Sequence, residues 1–452
     1  LEERLDAALG EASETYRVVI EKGALGQVGE VFEGCFGAVP AVIVADERTF
    51  EVAGEEVERS LKAAGCTLAG RFVFPVHPPL FPDSEGVGDL REWLRGREAV
   101  PVAVGAGTIN DITKRASHEC GRPYMAVATA ASVDGYTSFG ATITEDGYKH
   151  TLPCPAPRAV VADVDVLAGA PERMTASGYA DLLGKITSGA DWIVADALGV
   201  EAIDRTSFEM VQGPLRRWTA SPGRLRRGDE EAVAGLMEGL VMSGLAMQRY
   251  RSSRTASGAE HQFSHLWEME GLGHDQDPPL SHGFKVGVGT VAIAALYERM
   301  LLKDLTDIDV DGICRRWPGR DEVERRVREA HPNPVMARAA VEESLAKHPS
   351  AGELRRRLVR LTQGWDALRG RLREQLLPPG ELRRLLAEAG CPTSPREIGL
   401  GWESFRQTYA RAQTIRRRYT VLDLALESGL LEECVEELFA PDGFWGGSSA
   451  SP

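Results

Sequence analysis

The sequence predicts an α/β domain built on a parallel sheet, followed by an all-α domain. Three observations carry this reading. β-Branched runs alternate with amphipathic stretches as far as Pro171. Beyond Pro171 the apolar residues fall almost everywhere at helical spacing. The chain, at 452 residues, is long enough for two large cores.

Taken in order, AVIVAD (Ala41–Asp46) is a short strand, and RTFEVAGEEVERSLKAAG follows at helical spacing with a closing glycine. RFVFPV (Arg71–Val76) reads as a strand, GVGDLREWLRG as a helix and AVPVAVG (Ala99–Gly105) as a third strand. PYMAVATAAS (Pro123–Ser132) and AVVADVDVLAGAP (Ala159–Pro171) supply two more, with ATITEDGYKHTLP between them as a hairpin about Asp146-Gly147. Strands alternating with helices imply right-handed crossovers in a parallel sheet. MTASGYADLLGKITSGADW, GLMEGLVMSGLAMQRY and HGFKVGVGTVAIAALYERMLL then read as helices. The expected division is an α/β domain over 1–170, an α-helical domain over 171–440 and a flexible, small-residue tail over 441–452.

A formal net charge of -15 excludes the basic footprint of a nucleic-acid binder, but not a small phosphorylated substrate held by a few local cations. The seven cysteines are scattered without a C-x-x-C pair, as expected of reduced thiols in the cytoplasm. LEERLDAALGEASETYR has no apolar core of a secretory signal, and no apolar run reaches the length of a membrane span. The Arg/Glu-rich run from Arg315 to Arg373 reads as solvated helix faces with intrahelical pairs.

VAVGAGTINDITKRAS (Val102–Ser117) places a Gly105-Ala106-Gly107 turn between a strand and a helix. Converging backbone N–H groups at such a junction suit a phosphate. Gly-x-Gly alone also fits an ordinary βα turn. A dinucleotide fingerprint would open the first βα unit and carry a third glycine, and here neither condition is met. Thr108, Asn110 and Asp111 place polar groups at the helix mouth.

Four of the nine histidines, His261, His265, His274 and His282, crowd into SGAEHQFSHLWEMEGLGHDQDPPLSHGF. His261 and His265 are one helical turn apart, and imidazoles from a helix and a following loop suit a transition metal as well as a purely structural role. The order Glu260-His261 is not that of an H-E-x-x-H zinc helix. Asp181 lies among Leu182, Leu183 and Ile186, where a carboxylate needs a cap, a cation such as Lys185 or a metal to offset its burial. Small residues around it (Ser177, Gly178, Ala180, Gly184) imply close approach by a backbone or a ligand.

TAASVDGYTSFGATI, SGYADLLGKITSGADW, SGAEHQFSHLWEM and PLSHGFKVGVGT together resemble, in order, the sn-glycerol-1-phosphate dehydrogenases. These belong to the superfamily of metal-dependent glycerol dehydrogenases, iron-containing alcohol dehydrogenases and dehydroquinate synthases. The resemblance runs from about Tyr16 to Arg299, reappears weakly at IRRRYTVLDLA, and is poor from Leu305 to Leu400.

The resemblance implies a dehydroquinate synthase-like fold, with a dinucleotide-binding N-terminal domain and a metal- and substrate-binding helical domain. It implies that the pyrophosphate rests on the displaced glycine turn, through Gly105, Gly107, Thr108 and Asp111. Thr129 and Ser132 match positions lining the nicotinamide half, and Asp134 and Ser138 match positions near substrate and nicotinamide. Asp181, His261 and His282 match three ligands to a divalent metal, for which zinc, nickel and iron are all suitable; His265 matches none and belongs beside them or in packing. At the end of the first predicted strand, Asp46 is either a ribose acceptor that favours NAD over NADP or a turn former. Lys285, with Lys149, His150 and Arg254, is a candidate for the substrate phosphate, or a plain surface charge.

The expected enzyme is therefore a cytoplasmic, metal-dependent dehydrogenase that reduces dihydroxyacetone phosphate to sn-glycerol 1-phosphate with NADH or NADPH. A glycerol or polyol dehydrogenase, a dehydroquinate synthase-like cyclase and a non-catalytic nucleotide binder are the alternatives. A homodimer or higher homo-oligomer is compatible with the sequence.

Overall fold

The computed structural model describes residues 2–145 and 148–449, and these divide into two compact units. The first comprises 1–182, 206–255 and 388–391; the second comprises 183–205, 256–387 and 392–452.

The first unit holds a six-stranded, wholly parallel sheet in the order β1-β8-β5-β4-β2-β3. Its strands are β1 (Arg17–Glu21), β2 (Ala41–Asp46), β3 (Leu68–Phe74), β4 (Val100–Gly105), β5 (Met125–Ala128) and β8 (Ala159–Asp163). The edge strand β1 has no counterpart in the sequence reading; RVVIE is short and only Val19 is buried. The inner strands β2, β4, β5 and β8 are almost continuously buried, as apolar runs covered on both faces should be. Val28, Phe32, Val57 and Leu61 from helices pack on Ile43, Val102, Val127 and Val161 to form one face of the core.

β2 lies between β3 and β4, so the chain reverses its direction of travel across the sheet between β2 and β4. Ligands of open α/β sheets bind at such a switch point, beyond the carboxyl ends of the strands. The glycine turn after β4 therefore stands beside the switch although it does not follow the first strand. β6 (Ala141–Glu145) and β7 (Tyr148–Leu152) form the expected antiparallel hairpin. Its turn, Asp146-Gly147, and the side chains of Lys149 and His150 lie outside the described residues.

Six helices position the residues of interest: α1 (Gly107–Glu119), α2 (Glu172–Leu183), α3 (Lys185–Ala197), α4 (Glu230–Tyr250), α5 (Ala259–Met269) and α6 (His282–Leu302). Asp229 caps α4 through the Ala232 amide, and Ser281 caps α6 through the Phe284 amide.

The second unit is helical. The helix Ala351–Gln375 turns Leu354, Leu358, Leu361, Trp365, Leu368 and Leu372 inward, a stripe at helical spacing. The helix Arg320–Ala330 carries Arg325 paired with Glu322 and Glu329, and Arg328 paired with Glu324, on a solvated face. The segment expected to be a flexible tail carries a buried residue near its start. Trp445 is fully buried against Trp402 and Phe405 and donates to the Tyr409 hydroxyl at 3.2 Å. Burying an indole outweighs the glycines and serines around it.

Candidate functional site

In the first unit, β4 ends at Gly105, which pairs with Ala128 of β5, and the Thr129 amide donates to the Gly105 carbonyl at 3.2 Å. α1 starts at Gly107, and its N-cap is Ala106, which has no side-chain acceptor. The first-turn amides thus lack the cap that a Ser, Asp or Asn would provide and remain suited to an anion. A Cβ on Gly107 would stand 2.8 Å from a Val133 methyl, and one on Gly105 would stand 2.6 Å from the Ile109 Cβ. Both glycines are therefore required by close packing of the turn.

The loop from Thr129 to Gly140 is fastened by a residue that the sequence reading passed over. Lys114, on α1, is buried, and its ammonium donates to the carbonyls of Gly135, Ser138 and Gly140 at 2.8, 2.9 and 3.1 Å, and to the Ser138 hydroxyl at 3.2 Å. Asn110 adds a bond to the Gly135 carbonyl, and Tyr124 in turn donates to Asn110 Oδ1. The legible signal was a lysine on the inward stripe of α1, one turn from Asp111. Thr129, Ser132 and Ser138 are all nearly buried. Asp46 caps the following short helix, accepting from the Thr49 amide at 2.8 Å.

Asp181 lies in the last turn of α2 and is fully buried. The Asp134 amide donates to its Oδ2 at 3.1 Å, and Ser243 of α4 donates to the Asp134 carboxylate at 2.9 Å. Gly178 brings α2 against the loop backbone: a Cβ there would lie 2.0 Å from the Ala131 carbonyl oxygen. The small residues around Asp181 thus serve close backbone approach.

In the second unit, His261 and His282 face one another with ring centroids 5.4 Å apart, and His265 stacks on His282 at 5.9 Å. Glu260 Oε1 accepts from His261 Nδ1 at 2.8 Å, and Glu268 Oε1 accepts from His282 Nδ1 at 2.8 Å. A carboxylate only accepts, so each Nδ1 carries its hydrogen, and in the neutral ring Nε2 is then the basic nitrogen. Burial works to raise the Glu260 carboxyl, but bonds from His261, the Gly258 amide and Thr187 hold it below its ordinary value.

Asp191, fully buried on α3, accepts from the Ala259 amide at 2.7 Å and from the Tyr297 hydroxyl at 2.6 Å, anchoring the start of α5. Gly289 of α6 lies against Glu260: a Cβ there would stand 2.7 Å from the Glu260 carbonyl oxygen. The glutamates and Asp191 were not among the sequence candidates; adjacency of Glu260 to His261 was the available signal. Lys285, one turn into α6, is buried and donates to the Leu280 carbonyl at 3.3 Å. Arg254 is likewise buried, and His274 is exposed.

Asp181 of the first unit and His261 and His282 of the second each offer one atom able to ligate a metal, a carboxylate oxygen and two ring nitrogens. One carboxylate and two imidazoles fit a divalent transition metal and leave coordination positions open. A parallel sheet with an anion-suited turn at its switch point, in a chain that also carries a carboxylate and two imidazoles able to ligate a metal, suits the class of metal-dependent dehydrogenases that use a dinucleotide.

A family model described as iron-containing alcohol dehydrogenase matches residues 19–171. A glycerol-1-phosphate dehydrogenase [NAD(P)+] of Halalkalibacterium halodurans is 40% identical over 281 residues, covering 61% of this chain and 69% of that protein. One of Bacillus velezensis is 32% identical over 397 residues, covering 86% of each. The glycerol dehydrogenase structure from Schizosaccharomyces pombe superposes with a TM-score of 0.59 at 15% identity, covering 98% of this chain and 95% of that one. The chain belongs to the glycerol-1-phosphate dehydrogenase family, a family of oxidoreductases whose named members use NAD(P). The 397-residue match also extends the similarity well beyond Tyr16–Arg299, so the Arg-rich helices are not foreign to the family. Among the described residues, no helix is long and apolar enough to cross a membrane.

Proposed function

We propose that the protein reduces dihydroxyacetone phosphate to sn-glycerol 1-phosphate with NADH or NADPH, in the cytoplasm. The observation that carries this reading is the Asp181, His261 and His282 donor group in a chain of this family. When bound, the metal supplies Lewis acidity toward a ketone oxygen and the nicotinamide supplies hydride.

The chain's own residues bind and orient. Asp181, His261 and His282 hold the metal, and the uncapped first turn of α1, with Gly105, Gly107, Thr108 and Asp111, receives the dinucleotide pyrophosphate. The loop held by Lys114 presents Thr129, Ser132 and Ser138 to the nicotinamide half. Asp134, fixed by Ser243, and Lys285, held by the Leu280 carbonyl, serve the substrate; the lysine offers a cation to its phosphate. Asp46 keeps a carboxylate at the end of β2 for the adenosine ribose, in addition to its capping bond.

The test is NADH and NADPH oxidation with dihydroxyacetone phosphate or dihydroxyacetone, before and after chelation and metal restoration. Metal-restored turnover that saturates at low dihydroxyacetone phosphate, with poor use of dihydroxyacetone, supports the proposal. Equal use of the unphosphorylated ketone moves the assignment to a polyol dehydrogenase.

A further inference from the structure

We infer that Glu260 and Glu268 are positioning residues for the metal, each fixing the tautomer, tilt and basicity of one ligand histidine. The inference rests on the ligand assignment made under the proposed function and extends it to two residues that touch neither substrate nor cofactor.

The two carboxylates do the same work from different sequence distances. Glu260 precedes His261 on α5, and Glu268 reaches His282 across from α5 to the first residue of α6. Both contacts are made to Nδ1, both at 2.8 Å, and both carboxylates are buried or nearly so. Glu260 is not free to turn away. Glu260 is also held by the Thr187 hydroxyl at 2.7 Å and by the Gly258 amide at 2.6 Å. On the other side, Ser264 adds a 3.2 Å contact to His282 Nδ1.

Burying a glutamate is costly, and two such costs on two facing histidines call for a return that packing alone does not give. A charged acceptor at Nδ1 raises electron density at Nε2 and locks the ring plane, which strengthens and orients the bond that Nε2 makes. Two carboxylates behind two imidazoles give the histidine pair a negative balance that favours a dication over a monovalent ion.

The test uses the full chain stripped of metal, with Zn²⁺ affinity read by competition against a chromophoric chelator and the visible spectrum read on the Co²⁺-loaded protein. Glu260→Gln and Glu268→Gln keep the size and an accepting oxygen but lose the charge. Each is expected to weaken Zn²⁺ binding about 10- to 100-fold and to shift the Co²⁺ bands. Thr187→Val leaves the Glu260 carboxylate in place with one bond fewer and gives a smaller loss. Thr362→Val, on the helix Ala351–Gln375 of the same unit, leaves affinity and spectrum unchanged.

Parental affinity and spectrum in both glutamine variants, whatever their melting temperatures, overturn the inference. Where Glu260→Gln fails to fold, Glu268→Gln and Thr187→Val carry the same reading. Retained Zn²⁺ affinity in Asp181→Asn and His261→Ala overturns instead the ligand assignment, and the two failures are thereby told apart.

Discussion

Replacing Gly178 by alanine adds one methyl group and should still disable the protein. The new Cβ would lie 2.0 Å from the Ala131 carbonyl oxygen, 2.8 Å from its carbon and 3.1 Å from Leu240 Cδ1. Ordinary contact begins near 3.4 Å, so α2 and the loop backbone must part by more than about 1 Å. Both are backbone, and neither yields by a rotamer change.

Overpacking of this kind costs about 1–3 kcal/mol, and a backbone clash belongs at the upper end. At about 2 °C per kcal/mol for a chain of this size, the melting temperature should fall by roughly 6 °C. The displaced parts are the loop holding Ser132, whose carbonyl accepts from Ser177, and the α2 turn holding Asp181, which accepts from the Asp134 amide. A misplacement near 1 Å at reacting groups costs on the order of 100-fold in rate. Steady-state oxidation of NADH with dihydroxyacetone phosphate, beside a thermal melt, reads both effects. A Gly178→Ala protein with the parental melting temperature and kcat/KM would falsify the close-approach reading of this helix.

Further outcomes follow from other residues. Asp181→Asn should retain the fold and lose metal-dependent turnover, read by metal content after dialysis and by activity; full metal occupancy speaks against its role as ligand. Lys114→Met leaves the carbonyls of Gly135, Ser138 and Gly140 without their cation. It should cost about 3 kcal/mol in stability and raise the KM for NADH, measured at saturating substrate. Trp445→Ala should cost about 3–5 kcal/mol by opening a cavity beside Phe405 and Tyr409, whereas a dispensable tail would show no change in melting. The Glu427 carboxyl is pushed up to about 7, chiefly by burial, against the pull of Arg357. The folded state thus holds this proton more tightly than the unfolded chain. Its contribution to stability is complete below about pH 4.5 and is lost as the pH rises toward 7. Glu427→Gln should flatten that decline in a urea-melt series, and an unchanged slope refutes the assignment.

Much of this was legible in the chain itself. The alternation that built the sheet, the hairpin flanks and the glycine turn are local patterns, and local periodicity and turn chemistry are what a sequence records directly; the Asp181, His261 and His282 set came from resemblance to a family. The tail reading missed Trp445 because composition weighs glycine and serine, while the fate of an indole depends on the aromatic cluster that receives it. β1 escaped because an edge strand with one buried residue carries too little periodicity to be seen.

The sequence alone determined which residues can make a strand, a turn or a metal ligand, since those depend on covalent chemistry and near neighbours. Only the tertiary structure decided which partners they acquired. It set β4 beside the switch point, so that a turn late in the chain stands where a first-strand turn usually does. It also closed Lys114 over three carbonyls and put Glu260 and Glu268 behind two imidazoles. The Lys114 and Glu268 pairings join groups from different elements, and burial away from water strengthens them.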